Sequence, residues 1–557
     1  MKIKINERIF PKVQKCRILA ALLCAALFIT VMPLNTFAVE APKTGGTHAN
    51  LVLFAYFADE TETDWFNKTS ETVDAGGMTN VQRYINYYNG SQNRSFSTYM
   101  SKISGGAYMV TNIFPQYDES TGKVTPLQLS VTETDARAKD CDAQIISELE
   151  KSINLSQWAS QLDLNGDTVI DNISVVLQGE DGSTAGTTMR SHKFTTHAIS
   201  SWNGTGLSAY TFNMLNTQAL NNKRAGLISH EYLHSLNYPD LYRKTQSDYP
   251  VGNWDIMSGD GRFMTYPLAY LRMAISGWAQ IPDIVDAGTK TENSDGTTTY
   301  DLTLETISDT NLNNAVMITS PVNPYEKFVI EVREKPEDYL NGDSLDGGIP
   351  KSGVIIYRVD TTVESFSNFY GKTGVYVFGT GTGSTREDAA LDAANSTYGS
   401  SDLNATGNVI TYSNGTNTGI VVSEVSDIQD GKVTLKVTVP DWSALDPWVD
   451  SVGISGQYVT LVSPDETPMA VVQTAQWGSV RFYEYENGAW IDSALPDLED
   501  SNGIADIKLI SFNNKMFASY VDGSAVGHVK VLTDGVWVDV VNPSGNAVTG
   551  VSNNQMD

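Results

Sequence analysis

Leu227-Ile228-Ser229-His230-Glu231-Tyr232-Leu233-His234-Ser235-Leu236, followed by Asn237-Tyr238-Pro239-Asp240, is the stretch that decides how the chain reads. Histidines at i and i+4 lie one turn apart on one helix face, while Ile228 and Tyr232 fall about half a turn away and can face a core. Both imidazoles can then reach one metal ion, with the carboxylate of Glu231 between them. Zinc catalysis needs three protein ligands and one open position. The next glutamate after Glu231 is Glu292, already inside a β-rich texture, so a ligand from a later helix is disfavoured. Asp240 stands six residues after His234, behind Pro239, where a helix cannot easily continue. The reversal between them needs a left-handed residue, and Asn237 occupies that place, the most tolerant residue there after glycine. Asp240 is the expected third ligand, with Asp248, Asp255 and Asp260 as alternatives should Asp240 only cap the loop.

Upstream of this motif the texture is α/β. Asn50-Leu51-Val52-Leu53-Phe54-Ala55-Tyr56 and Ile173-Ser174-Val175-Val176-Leu177 are short continuous apolar runs of the kind expected of buried strands, and Ala107-Tyr108-Met109-Val110 is strand-like. Residues 81–88 have helical character, and residues 143–158 carry Ile145, Ile146, Leu149, Ile153 and Leu155 at helical spacing. Beyond about residue 281 the chain turns all-β. Tyr300-Asp301-Leu302-Thr303-Leu304, Phe328-Val329-Ile330-Glu331-Val332, Val354-Ile355-Ile356-Tyr357-Arg358-Val359 and Val433-Thr434-Leu435-Lys436-Val437-Thr438-Val439 are β-branched runs between Gly, Asn, Asp and Ser clusters, most simply a sandwich. Residues 379–415, rich in Gly, Ser, Thr and Asn, predict a long mobile loop. In the tail, Met469 and Gly488-Ala489-Trp490-Ile491-Asp492 recur as Met516 and Gly535-Val536-Trp537-Val538-Asp539 at an offset of 47 residues, a period that fits propeller blades or similar all-β modules.

The chain of 557 residues is long enough for several domains, and 37 Lys and Arg against 65 Asp and Glu give a net charge of −28. A nucleic acid partner is therefore not expected, since phosphate binding needs a basic face. Lys2, Lys4, Arg8, Lys12, Lys15 and Arg17 precede an apolar run over residues 18–32, and Thr36-Phe37-Ala38 offers small residues for cleavage. This reads as a secretory signal over residues 1–38, shorter in its apolar part than the roughly 20 residues that span a bilayer. The expected chain is secreted and extracellular, without stable membrane insertion after cleavage. Cleavage leaves Cys141 as the only cysteine, so no intramolecular disulfide is expected. Its neighbours Asp140 and Asp142 would raise a thiol pKa, which makes Cys141 a structural thiol rather than a nucleophile.

The run from His230 to Asp240, followed by Gly252-Asn253-Trp254-Asp255-Ile256-Met257-Ser258-Gly259, resembles the M6 family of secreted metallopeptidases, the immune inhibitor A-like group of metzincin-type zincins. The resemblance is sharp from 230 to 259. It extends more loosely over about residues 48–440, including Ser191-His192-Lys193 and Glu331-Val332-Arg333, and departs from the family in having Asn rather than Gly at 237. It implies that Met257 occupies a turn passing beneath the metal. His192 and His197 are candidates for bordering a substrate cleft, or for purely structural roles.

The resemblance and the residues together imply a multidomain chain: a signal peptide at 1–38, an α/β zincin-like catalytic domain at 39–280, an all-β sandwich-like domain at 281–442, and a β-rich tail with two repeats at 443–557. They imply a zinc endopeptidase acting on protein or peptide substrates, in which His230, His234 and Asp240 hold zinc and Glu231 serves as general base toward a water. Asp163, Asn165, Asp167 and Asp171 space oxygen side chains at positions 1, 3, 5 and 9, as a calcium loop does, and an acidic loop of this kind also fits the family. Calcium and a plain solvated turn are both open there. The alternative function is a secreted adhesion or glycan-binding protein with an inactive zincin domain, whose tail aromatics Trp477, Tyr483, Tyr485, Trp490 and Trp537 would line a ligand surface.

Overall fold

The computed structural model describes residues 44–551 with interruptions at 72–75, 91–93, 140, 180–190, 196, 245–247, 259–263, 309–310, 338–344, 370–371, 382–383, 443–457, 463–468, 474–478, 487–488, 494, 513–514, 523–525, 534 and 542–548. The expected signal segment, Asp260 and Trp477 lie outside the described residues. The chain divides into two compact units, Met1–Trp442 and Ser443–Asp557. It is mixed α/β, with few helices and many sheets.

The first unit is organised by one mixed sheet. Its strands are β1 (Gly46–Tyr56), β2 (Tyr108–Ile113), β3 (Asn172–Gln178), β4 (His192–Phe194) and β5 (Phe212–Asn216). They lie in the order β2-β1-β3-β5-β4, with β2, β1, β3 and β5 parallel and β4 antiparallel at the edge. β1 is hydrogen-bonded on both sides and covered on both faces, which is why residues 50–56 read as an unbroken apolar run. Alternate residues serve opposite layers. Val52, Phe54, Val176 and Leu215 join a core formed with α1 (Asn80–Asn89), α2 (Phe96–Ile103), α4 (Thr217–Lys223), α5 (Ala225–Ser235) and α6 (Ala269–Ala274). Leu51, Leu53, Val175, Leu177 and Met214 join the core under α3 (Asp142–Ser152), through Ile145, Ile146 and Leu149. Each such fully buried side chain contributes about 1.5–3 kcal/mol by leaving water.

Local sequence explains where the helices begin and turn. α1 starts in a capping box, with Thr79 Oγ1 accepting from the Gln82 N–H and Gln82 Oε1 accepting from the Thr79 N–H. Asn216 caps α4 by accepting from the N–H groups of Gln218 and Ala219. Arg224, at φ 57°, ends α4 and redirects the chain into α5.

Residues 289–439 form two antiparallel sheets around one core. The first contains Thr289–Glu292, β6 (Thr298–Glu305), β12 (Lys432–Val439), β11 (Val421–Ser423) and Tyr398–Gly399; the second contains β7 (Ala315–Thr319), β8 (Glu326–Arg333), β9 (Gly353–Asp360) and β10 (Val375–Val377). Phe328, Ile330 and Val332 meet Tyr300, Leu302 and Leu435 between the sheets. Their neighbours Val329, Ile355, Tyr357 and Val359 belong instead to the core of α1, α2 and α5. The second sheet is thus buried on both faces, and the same compact unit contains it and the mixed sheet. Residues 379–415 carry little regular structure, yet Ala390, Leu391, Ile410 and Tyr412 are buried, so the expected open loop is anchored to these cores. In the second unit each copy of the repeat is a four-stranded antiparallel meander, from Tyr458–Val462 to Ala489–Asp492 and from Ile504–Phe512 to Val536–Asp539, the latter joined by Thr549–Val551.

Candidate metal centre

α5 brings His230 and His234 to one point, their rings 4.8 Å apart and nearly perpendicular. The helix ends just past His234 because Asn237 adopts φ 67°, the left-handed conformation expected of it, and the Tyr238 N–H returns to the Leu233 carbonyl at 3.0 Å. This reversal delivers Asp240. Its Oδ1 lies 3.4 Å from His230 Nε2 and 3.2 Å from His234 Nε2, and one donor atom from each of the three residues falls within 4.8 Å of the others. Asp255, an alternative third ligand, is instead buried, accepting from the N–H groups of Met257 and Leu268, both at 2.7 Å. Asp248 is paired with Arg243.

The donor chemistry tests whether these residues fit a cation. His230 Nδ1 donates to the Ile256 carbonyl at 3.0 Å and His234 Nδ1 donates to the Tyr238 carbonyl at 2.7 Å, since a carbonyl can only accept. In the neutral rings both Nε2 lone pairs therefore face Asp240 Oδ1, a buried oxygen with no hydrogen-bond partner. Three lone pairs converging in this way are at rest only around a cation or with added protons. Burial alone would raise the Asp240 carboxyl, but the two imidazoles outweigh it and hold it well below the ordinary carboxylate range. Burial would likewise depress His230, yet Asp240 and Glu231 hold its imidazole above its ordinary value. Two imidazoles and one carboxylate suit a divalent ion of the zinc type, and the residues fit.

Each ligand is braced from behind. Ile256, whose carbonyl orients His230, sits in the turn Trp254-Asp255-Ile256-Met257, and Met257 is fully buried there, its carbonyl accepting from the Leu241 N–H. Arg333 of β8 reaches this turn, donating Nη1 to the Trp254 carbonyl at 2.9 Å while its Nε and Nη2 grip Asp346. Burial pushes the Asp255 carboxyl up to about 6, against the pull of its two N–H donors and Arg333. The Asp240 carbonyl accepts from the Asn368 N–H at 3.1 Å, and Asn368 Nδ2 donates to the Leu241 carbonyl at 2.9 Å. Behind α5 a ladder of asparagines crosses the sheet. Asn50 donates to Asn112, and Asn172 donates to both Asn50 and Asn213, each at 2.8 Å; Asn213 ends the ladder by donating to the Glu231 carbonyl at 2.9 Å. Fully partnered buried amides of this kind fix one register for the helix they meet.

A cleft of about 300 Å³ opens over the cluster, lined by Ser191, His192 and Lys193 from β4 and its approach, and by His230, Glu231, His234, Asp240 and Tyr242. Tyr242 stacks against His230 at 6.5 Å and meets Phe369 edge-on at 5.6 Å. His192 borders the cleft but spends Nε2 on Asp142 at 2.7 Å, while His197 lies against Phe212.

The acidic loop does not gather as the metal cluster does. Asp163 Oδ1 accepts from the Thr168 N–H, Asn165 Oδ1 from the Asp167 N–H, and Asp167 Oδ1 from the Val169 N–H. Asp171 turns to His48 Nδ1 at 3.1 Å and to the Ala49 N–H at 2.9 Å. Among the described residues, the only group of three acidic, histidine or cysteine side chains close enough to share an ion is His230, His234 and Asp240. Cys141 is buried, its Sγ facing the Asp135 carbonyl at 3.6 Å. In the tail, Trp537 donates Nε1 to the Pro496 carbonyl and packs against Phe482. The side chains of Tyr485 and Trp490 lie outside the described residues.

A mixed sheet, an edge strand beside a cleft, and a helix presenting two histidines around a glutamate define a peptidase catalytic domain of the metal-dependent type. The family follows from comparison: residues 58–267 match the model described as the immune inhibitor A peptidase M6 catalytic domain, so the chain carries an M6 peptidase domain. M6 peptidases are metallopeptidases, generally of zinc, and protein or peptide substrates come with that activity. No curated protein matches the chain. Among the described residues no helix is long and apolar enough to cross a membrane.

Proposed function

We propose that the chain is a zinc-dependent endopeptidase exported from the cell to cut extracellular proteins. The observation that carries this reading is the meeting of His230, His234 and the unpartnered Asp240 oxygen beneath a cleft that Glu231 also lines. Zinc held by these three residues would polarise a peptide carbonyl and acidify a water. Glu231, which lines the same cleft, would serve as general base toward a water and would deliver the proton to the leaving amine. Asn213, by holding the Glu231 carbonyl, fixes the turn from which this carboxylate projects. The basic and apolar pattern of residues 1–38 supports export.

The test is Glu231→Gln beside the parent protein in a casein digest with and without chelator. Stoichiometric zinc in both proteins, with hydrolysis lowered about 10²- to 10⁴-fold in the variant, supports the assignment. Equal hydrolysis by both would remove Glu231 from the reaction.

A further inference from the structure

We propose that Lys193 makes this cleft selective for substrates bearing a carboxylate close to the scissile bond, a reading that names the substrate class of the proposed peptidase site and rests on it. The residue is placed by register. Lys193 lies opposite Asn213 in the antiparallel pairing of β4 with β5, and cross-strand partners project from the same face of a sheet. Asn213 donates its side-chain amide to the Glu231 carbonyl and to Ser235 Oγ, so that face is the one covered by α5. Of its neighbours, His192 borders the cleft but commits Nε2 to Asp142 on α3, and Phe194 packs into the core under α3. Lys193 accordingly lines the same cleft as His230, Glu231 and Asp240.

Its charge has no counterpart among the described residues. Among the described residues the Lys193 ammonium makes no ion pair or hydrogen bond, although carboxylates outnumber cations across the chain. Burial pulls its amine below the ordinary lysine value, and no neighbouring carboxylate offsets that pull. A cation kept partly desolvated and without a partner costs free energy in the empty cleft, and an anion arriving with the substrate removes that cost. Among the described residues Lys193 is also the only lysine or arginine lining the cleft. With a chain of net charge −28, long-range attraction works against acidic substrates, so any preference for them has to come from a local contact of this kind. The carboxylate comes either from an Asp or Glu side chain or from the free C-terminus of a short peptide, both of which an ammonium accepts by the same charge-assisted hydrogen bond.

The experiment uses fluorogenic peptides that differ only by Glu or Gln at one position, scanned along the peptide, each made as C-terminal amide and as free acid. Cleavage is read as the ratio of kcat/KM for the Glu and Gln members in the parent, Lys193→Met and Lys193→Glu proteins. Binding of the same pairs is read by fluorescence anisotropy on Glu231→Gln and on Glu231→Gln with Lys193→Met, zinc-loaded and metal-free, with matched zinc content and melting temperature as folding controls. The expected result is a Glu-over-Gln ratio of about 10 to 100 at one position, or for the free acid over the amide, falling to near 1 in Lys193→Met and below 1 in Lys193→Glu. No such preference in the parent, or a preference that survives in Lys193→Met, overturns the proposal. If no peptide is cut but the Lys193-dependent binding ratio persists, the peptidase reading fails and the carboxylate site stands.

Discussion

Replacing Arg333 by methionine should damage both the stability of the first unit and its hold on metal. Arg333 is 1 % exposed. It meets Asp346 twice, Nε to Oδ2 at 2.8 Å and Nη2 to Oδ1 at 2.5 Å, and it also donates to the Trp254 and Tyr266 carbonyls at 2.9 and 3.2 Å. Methionine fills much of the volume but leaves Asp346 charged, buried and reliant on the Tyr266 N–H. Breaking a buried ion pair from one side costs about 3–5 kcal/mol. The two stranded carbonyls add about 1–3 kcal/mol each, less whatever water recovers, so a total of about 5 kcal/mol or more is expected. The double change Arg333→Met with Asp346→Leu removes one of the two carboxylates that Arg333 leaves behind; fully buried Glu331, 3.4 Å from Nη1, keeps only its hydrogen bonds from Asn314 and Tyr357, so the double variant should regain part of the ionic cost and no more. Because Arg333 holds the turn whose Ile256 carbonyl orients His230, both variants should also bind zinc about 10- to 100-fold more weakly. Urea unfolding and zinc titration against a competing chelator read the two effects. A single variant within 1 kcal/mol of the parent, or a double variant no more stable than the single, would refute the reasoning.

Three further outcomes follow from the site. Asn237 sits at φ 67°, so Asn237→Gly should keep zinc affinity, whereas Asn237→Ala should cost about 1–2 kcal/mol and shift Asp240 enough to weaken it; zinc titration of both, with glycine the weaker, would contradict this. His230 is held above its ordinary value by Asp240 and Glu231, so protons compete with the metal, and zinc affinity should fall as pH drops through the imidazole range, by up to about tenfold per pH unit for each proton displaced. A flat affinity between pH 8 and about 5.5 would contradict it. Zinc at about 100 times its dissociation constant should stabilise the first unit by about 2.7 kcal/mol over the chelator-treated protein, and identical melting curves would show that the folded chain does not hold it.

What the sequence disclosed was local. The i, i+4 histidines and the intervening glutamate follow from helical period alone, and Asn237 announces a left-handed turn because few other residues tolerate one. The apolar run at 50–56 marked β1, but the strand begins earlier, at Gly46, because His48 is accommodated by stacking on Tyr108 and bonding to Asp171 and the Gly45 carbonyl. That same contact is what the acidic loop concealed: Asp171, which fits the spacing of a calcium ligand, also bonds to His48 and to the Ala49 N–H. The bracing of the site was not legible, because Arg333, Asp346 and Asn368 carry no periodic signature and come to the site only across long separations in sequence. The asparagine ladder was hidden similarly, each member isolated in its own strand. The Gly- and Ser-rich composition of 379–415 masked Leu391, Ile410 and Tyr412, which pack singly rather than in a run.

The central claim is most directly tested by zinc K-edge absorption on the zinc-loaded chain beside Asp240→Ala. The account predicts two imidazole nitrogens at about 2.0–2.1 Å and a carboxylate oxygen at about 2.0–2.2 Å, with one exchangeable light atom, and the loss of the carboxylate contribution in the variant. Spectra indifferent to the loss of Asp240, or a fourth position filled by protein, would contradict it.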